Sequence, residues 1–142
     1  MNVLIACEFS GIVRDAFAEK GHDVWSCDLL PTEIPGQHIQ DDVLNHLDED
    51  WDMMIAHPPC TYLTNAGAVH LFSGGKINQK RLALGLEAKE FFMELLNAPI
   101  EKICVENPVP STIFKLPKYS QIIQPFHFGH KIQKKTCLWL KN

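Results

Sequence analysis

Short apolar runs alternate along the 142-residue chain with stretches in which apolar positions recur at helical spacing. Continuous apolar runs bounded by turn residues are typical of buried strands, and the longer period is typical of amphipathic helices. The runs predict strands at Asn2–Cys7, His22–Cys27, His38–Gln40, Met53–Ala56 and Ile100–Val105. The helical spacing predicts helices at Ile12–Lys20, Val43–Leu47 and Lys80–Asn97. Strands that alternate with helices in this way indicate an α/β fold with a mostly parallel sheet.

The segments between these elements contain the residues that begin and end them. Ser10 is a candidate cap for the first helix, and Gly21 is expected to end that helix. Leu29–Gly36, with two prolines and a glycine, is predicted to be a loop. Thr61–Ile77, which contains three glycines and only weak periodicity, is predicted to be a mobile surface loop.

The carboxyl-terminal part of the chain is rich in turn residues. After Pro108, apolar residues recur at Ile122–Ile123, then at Pro125–His130, and finally at Thr136–Leu140. The last two apolar segments, which a lysine-bearing turn joins, are predicted to pair antiparallel. The chain is therefore predicted to form one Rossmann-like domain over residues 1–142, with a seven-stranded, mostly parallel sheet and an antiparallel carboxyl-terminal hairpin.

Composition agrees with an ordinary globular protein. Hydrophobic residues make up 46% of the chain and charged residues 21%. No apolar run approaches the length of a membrane span, and the amino terminus lacks the basic region and cleavage site of a signal peptide. We therefore expect a soluble protein of the cytoplasm (the host cytoplasm if it is viral), with no membrane partner.

The cysteines indicate a reducing compartment. There are five, an odd number, and no two of them form a Cys-x-x-Cys pair. Most lie in or beside apolar runs, which favours reduced core thiols over a disulfide framework or a zinc site. No metal is therefore expected. A zinc site built from His57, Cys60 and His70 is disfavoured, because its ligands would lie across a loop predicted to be mobile.

Charge is distributed unevenly along the chain. The net charge is −4, yet the segment from Asn107 to Asn142 carries lysines and no acidic residue. Its six lysines are Lys115, Lys118, Lys131, Lys134, Lys135 and Lys141. An acidic body with a basic flank could meet a phosphate backbone on one side only, although a solvated lysine face would have the same composition.

Cys60 is the leading candidate for chemistry. It follows the central strand Met53–Ala56 and two prolines, which end the strand because neither can donate to a sheet ladder. Ligands and chemistry collect at the carboxyl ends of strands in open α/β sheets. A thiol held there could act as a nucleophile, whereas the commoner fate of a free cysteine is to be a small apolar core residue.

The amino-terminal segment favours a nucleotide-type ligand. A strand, a glycine turn, a helix and a second strand that ends on Asp28 make up the opening unit of a mononucleotide-binding sheet. Asp28 lies where such folds hold ribose hydroxyls. A plain turn acid at this position is about equally consistent with the local sequence.

Four motifs together resemble those of the DNA cytosine-5 methyltransferases. They are Phe9-Ser-Gly, Pro58-Pro-Cys60, Glu106-Asn-Pro and the turn with Gln133 and Lys135, and they occur in the family's order after successive predicted strands. The resemblance, which spans residues 2–140, implies a class I methyltransferase fold and S-adenosylmethionine as cofactor. It implies a small, phage-type catalytic domain without a target recognition domain, so a protein partner or a dimer would supply recognition.

The resemblance also implies roles for individual residues. Cys60 matches the nucleophile and Glu106 the acid that grips the cytosine ring. The implied cofactor-binding residues are Phe9, Ser10, Gly11, Asp28, Asp42 and Pro58, with Phe9 on the adenine, Asp28 on the ribose and Asp42 near the adenine amino group. The implied substrate-binding residues are Asn107, Gln133 and Lys135.

The implied reaction is methyl transfer to carbon 5 of cytosine in DNA through a covalent cysteine adduct. A thiolate attacks carbon 6 and makes carbon 5 nucleophilic, while a carboxyl group stabilises protonation of the ring at N3. An amino-methyltransferase is disfavoured, because His57 and Cys60 replace the acid or amide and the aromatic residue of its strand-end motif. The remaining alternative is a catalytically impaired binding or regulatory module with a methyltransferase-like fold.

Overall fold

The computed structural model describes residues 1–64 and 70–142. The strands are β1 (Asn2–Ala6), β2 (Asp23–Asp28), β3 (His38–Gln40), β4 (Met53–Ala56), β5 (Phe72–Ser73), β6 (Lys76–Ile77), β7 (Lys102–Pro108), β8 (Gln121–Ile123) and β9 (Thr136–Lys141). The described α-helices are α1 (Ile12–Ala18) and α2 (Gln79–Leu96). Short 3-10 helices lie at Val43–His46, Thr112–Phe114 and Pro125–Phe128. Within the described residues, no helix is both long and apolar enough to cross a lipid bilayer.

Seven strands form one sheet in the order β3-β2-β1-β4-β7-β9-β8. The five strands from β3 to β7 are parallel, and β9 pairs antiparallel with both β7 and β8. The predicted α/β fold, with a mostly parallel seven-stranded sheet and an antiparallel carboxyl-terminal end, is confirmed. Strand order reverses at β1, so the ends of β1 and β4 flank a crevice of the kind in which α/β sheets bind ligands.

Alternation along the strands divides the core between the two faces of the sheet. The core consists of two clusters of apolar side chains. The larger cluster includes apolar residues of α2, and the strand residues that point to it include Leu4, Ala6, Met54 and Ala56. Val3, Ile5 and Val24 point to the smaller cluster, which includes Val13 and Phe17 of α1. Parallel strands covered on both faces read as continuous apolar runs, which is why the sequence predicted them well.

Two predicted boundaries differ from the structure in ways that matter for function. Strand β1 ends at Ala6, and Cys7 lies beyond it with a left-handed backbone (φ 61°). Strand β7 runs on to Pro108, past the predicted end at Val105, because β9 continues to pair with it beyond the last residue paired with β4. Glu106 and Asn107 therefore lie in a paired strand and not in a turn.

The prediction of a mobile loop over residues 61–77 is only partly testable, because residues 65–69 lie outside the described residues. In the described part, β5 and β6 form a hairpin whose turn residues Gly74 and Gly75 both have positive φ. A two-residue turn of this kind favours glycine at both positions. Because β5 and β6 have only two residues each, the pattern of apolar positions in the sequence could not predict them.

The partner predicted for the last strand is wrong. Strand β9 pairs with Gln121–Ile123, whereas Pro125–Phe128 forms a 3-10 helix. Pro125 begins that helix because its fixed φ suits a first helical position, and Gly129 ends it with φ 90°. The apolar residues Phe126 and Phe128 had given this segment the appearance of a strand.

Candidate functional site

The carboxyl ends of the parallel strands meet along one edge of the sheet, and two neighbouring cavities open there. The first, of about 300 Å³, lies beyond the ends of β2 and β3. Its lining residues are Cys7, Cys27, Asp28, Leu29, Asp41, Asp42, Val43, Pro59 and Phe91. The second, of about 310 Å³, lies between β1 and the start of α1. Its lining residues are Cys7, Glu8, Phe9, Ser10, Ile12, Val13 and His57.

Both acids predicted for the cofactor site line the first cavity. Asp28 accepts a hydrogen bond from the Leu30 N–H at 2.9 Å through Oδ1, which fixes its carboxylate at the end of β2. Asp42 caps the following 3-10 helix, because its Oδ1 accepts from the Leu44 N–H at 3.0 Å. Each acid thus holds a turn through one oxygen. Its other oxygen has no bond to the described residues, so it is available to a ligand.

A side-chain clamp stiffens the wall of this cavity at Asp41. His46 contacts Asp41 through Nε2 at 2.9 Å and Glu49 through Nδ1 at 2.7 Å. The bond to Glu49, then the bond to Asp41, raises the pKa of His46 although partial burial opposes the rise. The bond to His46 is the main cause that lowers the pKa of Asp41. The clamp fixes the chain next to Asp42.

The second cavity contains an acid, Glu8, that belongs to none of the sequence motifs. Glu8 is buried, and its carboxylate accepts from the Val13 N–H at 2.9 Å and the Arg14 N–H at 3.0 Å. Glu8 therefore provides the main cap of α1, whereas the predicted cap Ser10 makes only a 3.4 Å contact with the Ile12 N–H. Because Glu8 lies outside the usual spacing of a capping residue, local sequence rules did not identify it.

Gly11 is required by packing as well as by conformation. It precedes α1 with φ 81°, and a Cβ there would lie 2.7 Å from Nη2 of the buried Arg14. Arg14 reaches under the loop after β2, where it donates to Ser26 Oγ at 3.2 Å and to the Ile34 carbonyl at 3.0 Å. The guanidinium thus ties α1 to the loop that follows Asp28 and fixes that loop at the first cavity.

Cys7 packs against the core, as expected from the sequence, but it lies beyond the end of β1 and also belongs to the site. It lines both cavities, and its left-handed backbone is uncommon for a residue with a side chain. Burial, followed by the negative charges of Asp28, Cys27 and Asp42, raises the pKa of Cys7 to about 12. The thiol is therefore neutral at physiological pH and faces the predicted ribose-binding acid.

Two hydrogen bonds join the Pro-Pro-Cys segment to the Glu-Asn-Pro segment. His57 Nδ1 lies 3.1 Å from Glu106 Oε2, and Asn107 Nδ2 donates to the Pro58 carbonyl at 3.0 Å. Adjacent parallel strands explain this proximity, because Ala56 pairs with Val105 and the next residues along each strand are His57 and Glu106. Both motif segments are thus tied together at the edge of the sheet.

From the sequence, His57 is a disfavoured zinc ligand and a departure from the strand-end motif of the amino-methyltransferases. Its backbone N–H does bond to the Ala6 carbonyl at 3.0 Å, which extends the pairing of β1 with β4. Its ring instead contacts Glu106, and among the described residues His57 Nε2 and Asn107 Oδ1 are the buried side-chain polar atoms without a partner. Buried polar atoms of this kind are uncommon and point to a functional site.

Cys60 is half-buried in a turn just beyond Pro59. The Leu63 N–H bonds back to the Cys60 carbonyl at 3.3 Å, and the Ser111 N–H bonds to the Leu63 carbonyl at 2.7 Å. With the bond from Asn107 to Pro58, these contacts hold the turn on both sides of Cys60 against the chain that follows β7. The thiol is therefore partly accessible on a supported turn.

The remaining predicted residues lie beyond or beside the two cavities. Pro58 is buried and Pro59 lines the first cavity, while Phe9 and Ser10 line the second. Gln133 and Lys135 are exposed just before β9. Because β9 runs antiparallel to β7 and Thr136 pairs with Pro108, its amino end lies at the same edge of the sheet as Glu106.

The two neighbouring cavities differ in the chemistry that they offer to a ligand. The first offers carboxylates for hydroxyl and amino groups and apolar surfaces at Val43 and Phe91 for a flat ring. The second offers the negative charge of Glu8, the hydroxyl of Ser10 and the ring of Phe9. Because Cys7 lines both, a ligand with a nucleoside at one end and an amino-acid chain at the other would extend past it. Within the described residues, no three His, Cys, Asp or Glu side chains form a group that could hold a metal ion.

Comparison with known proteins supports this fold. No family model and no curated protein sequence matches the chain at a significant level. Among solved structures, the chain is similar to a protein provisionally assigned as a DNA modification methyltransferase and encoded within a prophage (E. coli), with a TM-score of 0.53 and 15% sequence identity. The match covers 99% of this chain but only 46% of that protein. The chain therefore shares the α/β fold of that protein, with its mixed seven-stranded sheet.

Proposed function

We propose that the protein is an S-adenosylmethionine-dependent methyltransferase that modifies carbon 5 of cytosine in DNA. The observation that carries the proposal is the pair of hydrogen bonds that joins the Pro-Pro-Cys60 segment to Glu106 and Asn107. A thiol and a carboxylate on neighbouring segments, next to cavities that suit the cofactor, are the groups that this reaction needs. The similar prophage protein, assigned to DNA modification, supports DNA as the acceptor.

Cys60 and Glu106 would perform the covalent chemistry. The Cys60 thiolate forms a bond to carbon 6 of the base, and the electrons of the 5,6 double bond move to carbon 5. Glu106 stabilises the proton at ring N3 as charge develops there. Carbon 5 then takes up the methyl group, loses its proton to a base, and the sulfur–carbon bond breaks to restore the ring.

His57 would act as a positioning residue for Glu106. Its bond to Oε2 fixes one oxygen of the carboxylate, so the other can face the base. Asn107 would position Cys60 through the Pro58 carbonyl, because that bond fixes the start of the prolines before the thiol. Both interactions lie next to the reacting groups, where a small displacement lowers the rate strongly.

The cofactor supplies an electrophilic methyl group when it is bound. Asp28 and Asp42 would hold its ribose and adenine, and Pro58 with Pro59 would bound the ring pocket. Phe9, Ser10 and Gly11 would face its amino-acid end, beside Glu8.

Calorimetric titration with S-adenosylmethionine, followed by transfer of a tritiated methyl group to mixed-sequence DNA, tests the proposal. Wild type and Cys60→Ser are expected to bind the cofactor with similar affinity, and only wild type should label DNA. Cys104→Ser, a thiol of β7 outside the proposed machinery, is the matched control and should label DNA normally. Cofactor binding without any transfer would favour a binding or regulatory module, and label on an exocyclic amino group would favour an amino-methyltransferase.

A further inference from the structure

Two phenylalanine side chains are exposed to solvent on a short turn near the proposed site. Phe126 and Phe128, on the 3-10 helix Pro125–Phe128, are 44% and 68% exposed, and Ile132 nearby is 60% exposed. We name Pro125–Phe128 the aromatic turn and Lys131–Lys135 the lysine loop. Single exposed apolar residues are common, but two exposed rings and an exposed isoleucine within seven residues are a local concentration of apolar surface.

The aromatic turn is held in shape by its own hydrogen bonds. Gln124 and His127 bond to each other reciprocally as a capping box, and the His130 N–H bonds to the Pro125 carbonyl at 3.2 Å. The His127 ring lies between the two phenyl rings, with centroids 4.3 Å from Phe126 and 6.5 Å from Phe128. A preformed turn presents its rings without an ordering cost on binding, which favours a role in recognition.

The charged side chains that lie near these rings in the sequence are all positive. The lysine loop contributes Lys131, Lys134 and Lys135, all exposed, and the segment from Asn107 to Asn142 contains no acidic residue. A partner that covers this surface must therefore carry negative charge and present flat apolar faces. Single-stranded nucleic acid combines both properties, because phosphates pair with lysines while bases stack on aromatic rings.

The topology places this surface beside the proposed base-binding edge. The lysine loop leads directly into β9, whose first residue, Thr136, pairs with Pro108, two residues beyond Glu106. An enzyme that acts on a base must take that base out of the stack, which leaves its neighbours unstacked. A stacking surface next to Glu106 is therefore where those neighbours would lie.

We propose that Phe126 and Phe128 form a stacking platform for unpaired bases of DNA, and that Lys131, Lys134 and Lys135 hold the adjoining phosphates. The proposal rests on the proposed function in naming DNA as the polymer, and it adds a preference for unpaired or mismatched DNA over perfect duplex. Cofactor and catalytic groups are not needed for this binding.

Fluorescence anisotropy with a labelled 20-nucleotide single strand and the matched duplex tests the platform without cofactor, in wild type and in Cys60→Ser. Both proteins are expected to bind the single strand several-fold more tightly than the duplex. Phe126→Ala with Phe128→Ala should weaken single-strand binding by roughly tenfold or more and remove the preference, with an unchanged salt slope. Lys134→Ala with Lys135→Ala should lower the magnitude of the salt slope by about 1.4, because each neutralised phosphate of a single strand contributes about 0.7.

Matched controls keep the result interpretable. Ile113→Ala removes an apolar residue that is 41% exposed and lies outside the aromatic turn, and this variant should bind the single strand like wild type. Circular dichroism should show that every variant is folded. Single-strand binding by the double phenylalanine variant within twofold of wild type would overturn the proposal. So would tighter binding of wild type to anionic phospholipid vesicles or to an acidic peptide than to the single strand. Failure of methyl transfer with platform binding intact would count against the proposed function alone.

Discussion

The two halves of the sheet edge that carries the proposed site differ in how their polar side chains are hydrogen-bonded. At the ends of β1, β2 and β3, the acids Glu8, Asp28 and Asp42 accept bonds from nearby N–H groups and hold turns in place. At the ends of β4 and β7, buried atoms of His57 and Asn107 have no partner among the described residues. One half is stabilised by its polar groups, whereas the other half carries polar groups at a cost to stability.

This difference separates structural roles from proposed chemical ones. A buried polar atom without a partner costs about 1–3 kcal/mol unless a water molecule or a ligand bonds to it, so these two atoms are candidate points of contact for a ligand. The turns that these acids cap keep their conformation whether or not a ligand is present. We therefore expect variants of the first half to lower stability together with cofactor affinity, and variants of the second half to lower methyl transfer with little change in stability.

The largest expected effect belongs to Glu106. Glu106→Gln keeps a polar side chain of the same size but removes the negative charge that, in the proposed mechanism, stabilises the proton on the base. Methyl transfer should fall by roughly 10²- to 10⁴-fold, and the free energy of unfolding in urea should change by less than about 1 kcal/mol. Glu101→Gln, at the exposed start of the same segment, is the control and should alter neither quantity. A loss of stability without a loss of methyl transfer would show that Glu106 has a structural role and not the proposed chemical one.

Arg14 is expected to show the opposite behaviour. Arg14→Met removes a guanidinium that is 2% exposed and leaves several oxygens beneath the loop after β2 without a donor. The free energy of unfolding should fall by about 3 kcal/mol, as for the loss of a buried hydrogen-bond network. Urea unfolding measures this change, with the exposed Lys20→Met as control. A change below about 1 kcal/mol would show that the loop does not depend on the arginine.

Thiol reactivity should distinguish Cys60 from the other four cysteines. Burial is the leading cause that raises the pKa of Cys7 to about 12 and of Cys27 to about 11, and it also raises the pKa of Cys104 and Cys137. Those thiols are protonated at pH 7.5, and only a thiolate is alkylated readily. Peptide mapping after brief iodoacetamide treatment should therefore find Cys60 labelled at least about tenfold faster. Equal labelling of Cys60 and Cys104 would argue against an accessible nucleophile.

His57 should tolerate asparagine better than alanine. The Nδ2 of an asparagine can take the place of Nδ1 and still donate to Glu106, and it removes the buried Nε2 that lacks a partner. We expect His57→Asn to unfold at the same or slightly higher urea concentration and to lose transfer only several-fold. His57→Ala should lose about tenfold more. Equal activity of the two variants would show that the bond to Glu106 has no positioning role.

The smallest expected effect concerns pH and the clamp at Asp41. The pKa of His46 is raised above its ordinary 6.5, so its contribution to stability is complete below that value and is lost as pH rises through the folded pKa. The pKa of Asp41 is lowered from 3.8, so its contribution is present above 3.8 and is lost as pH falls through the folded pKa. Melting temperature should therefore fall slightly between pH 6 and pH 8, and His46→Gln should remove that fall.

The sequence predicted the fold better than the site because the two depend on different signals. Buried parallel strands appear as apolar runs, so β1 to β4 were located within about a residue of their observed bounds. Glu8, Arg14 and His57 were not recognised, because their contacts join residues that are distant in the chain or outside standard capping positions. The end of β7 was also misplaced, since it is set by the antiparallel partner β9 and not by local sequence.

The central claim is that Cys60 attacks the base while Glu106 assists from the neighbouring strand. Incubation with S-adenosylmethionine and DNA that contains 5-fluorocytosine tests it directly, because fluorine blocks the final elimination and leaves the enzyme attached. Mass spectrometry should show wild-type protein covalently joined to DNA through Cys60 with one added methyl group, and no adduct with Cys60→Ser. An adduct at another residue, or none from protein that binds both cofactor and DNA, would contradict the account.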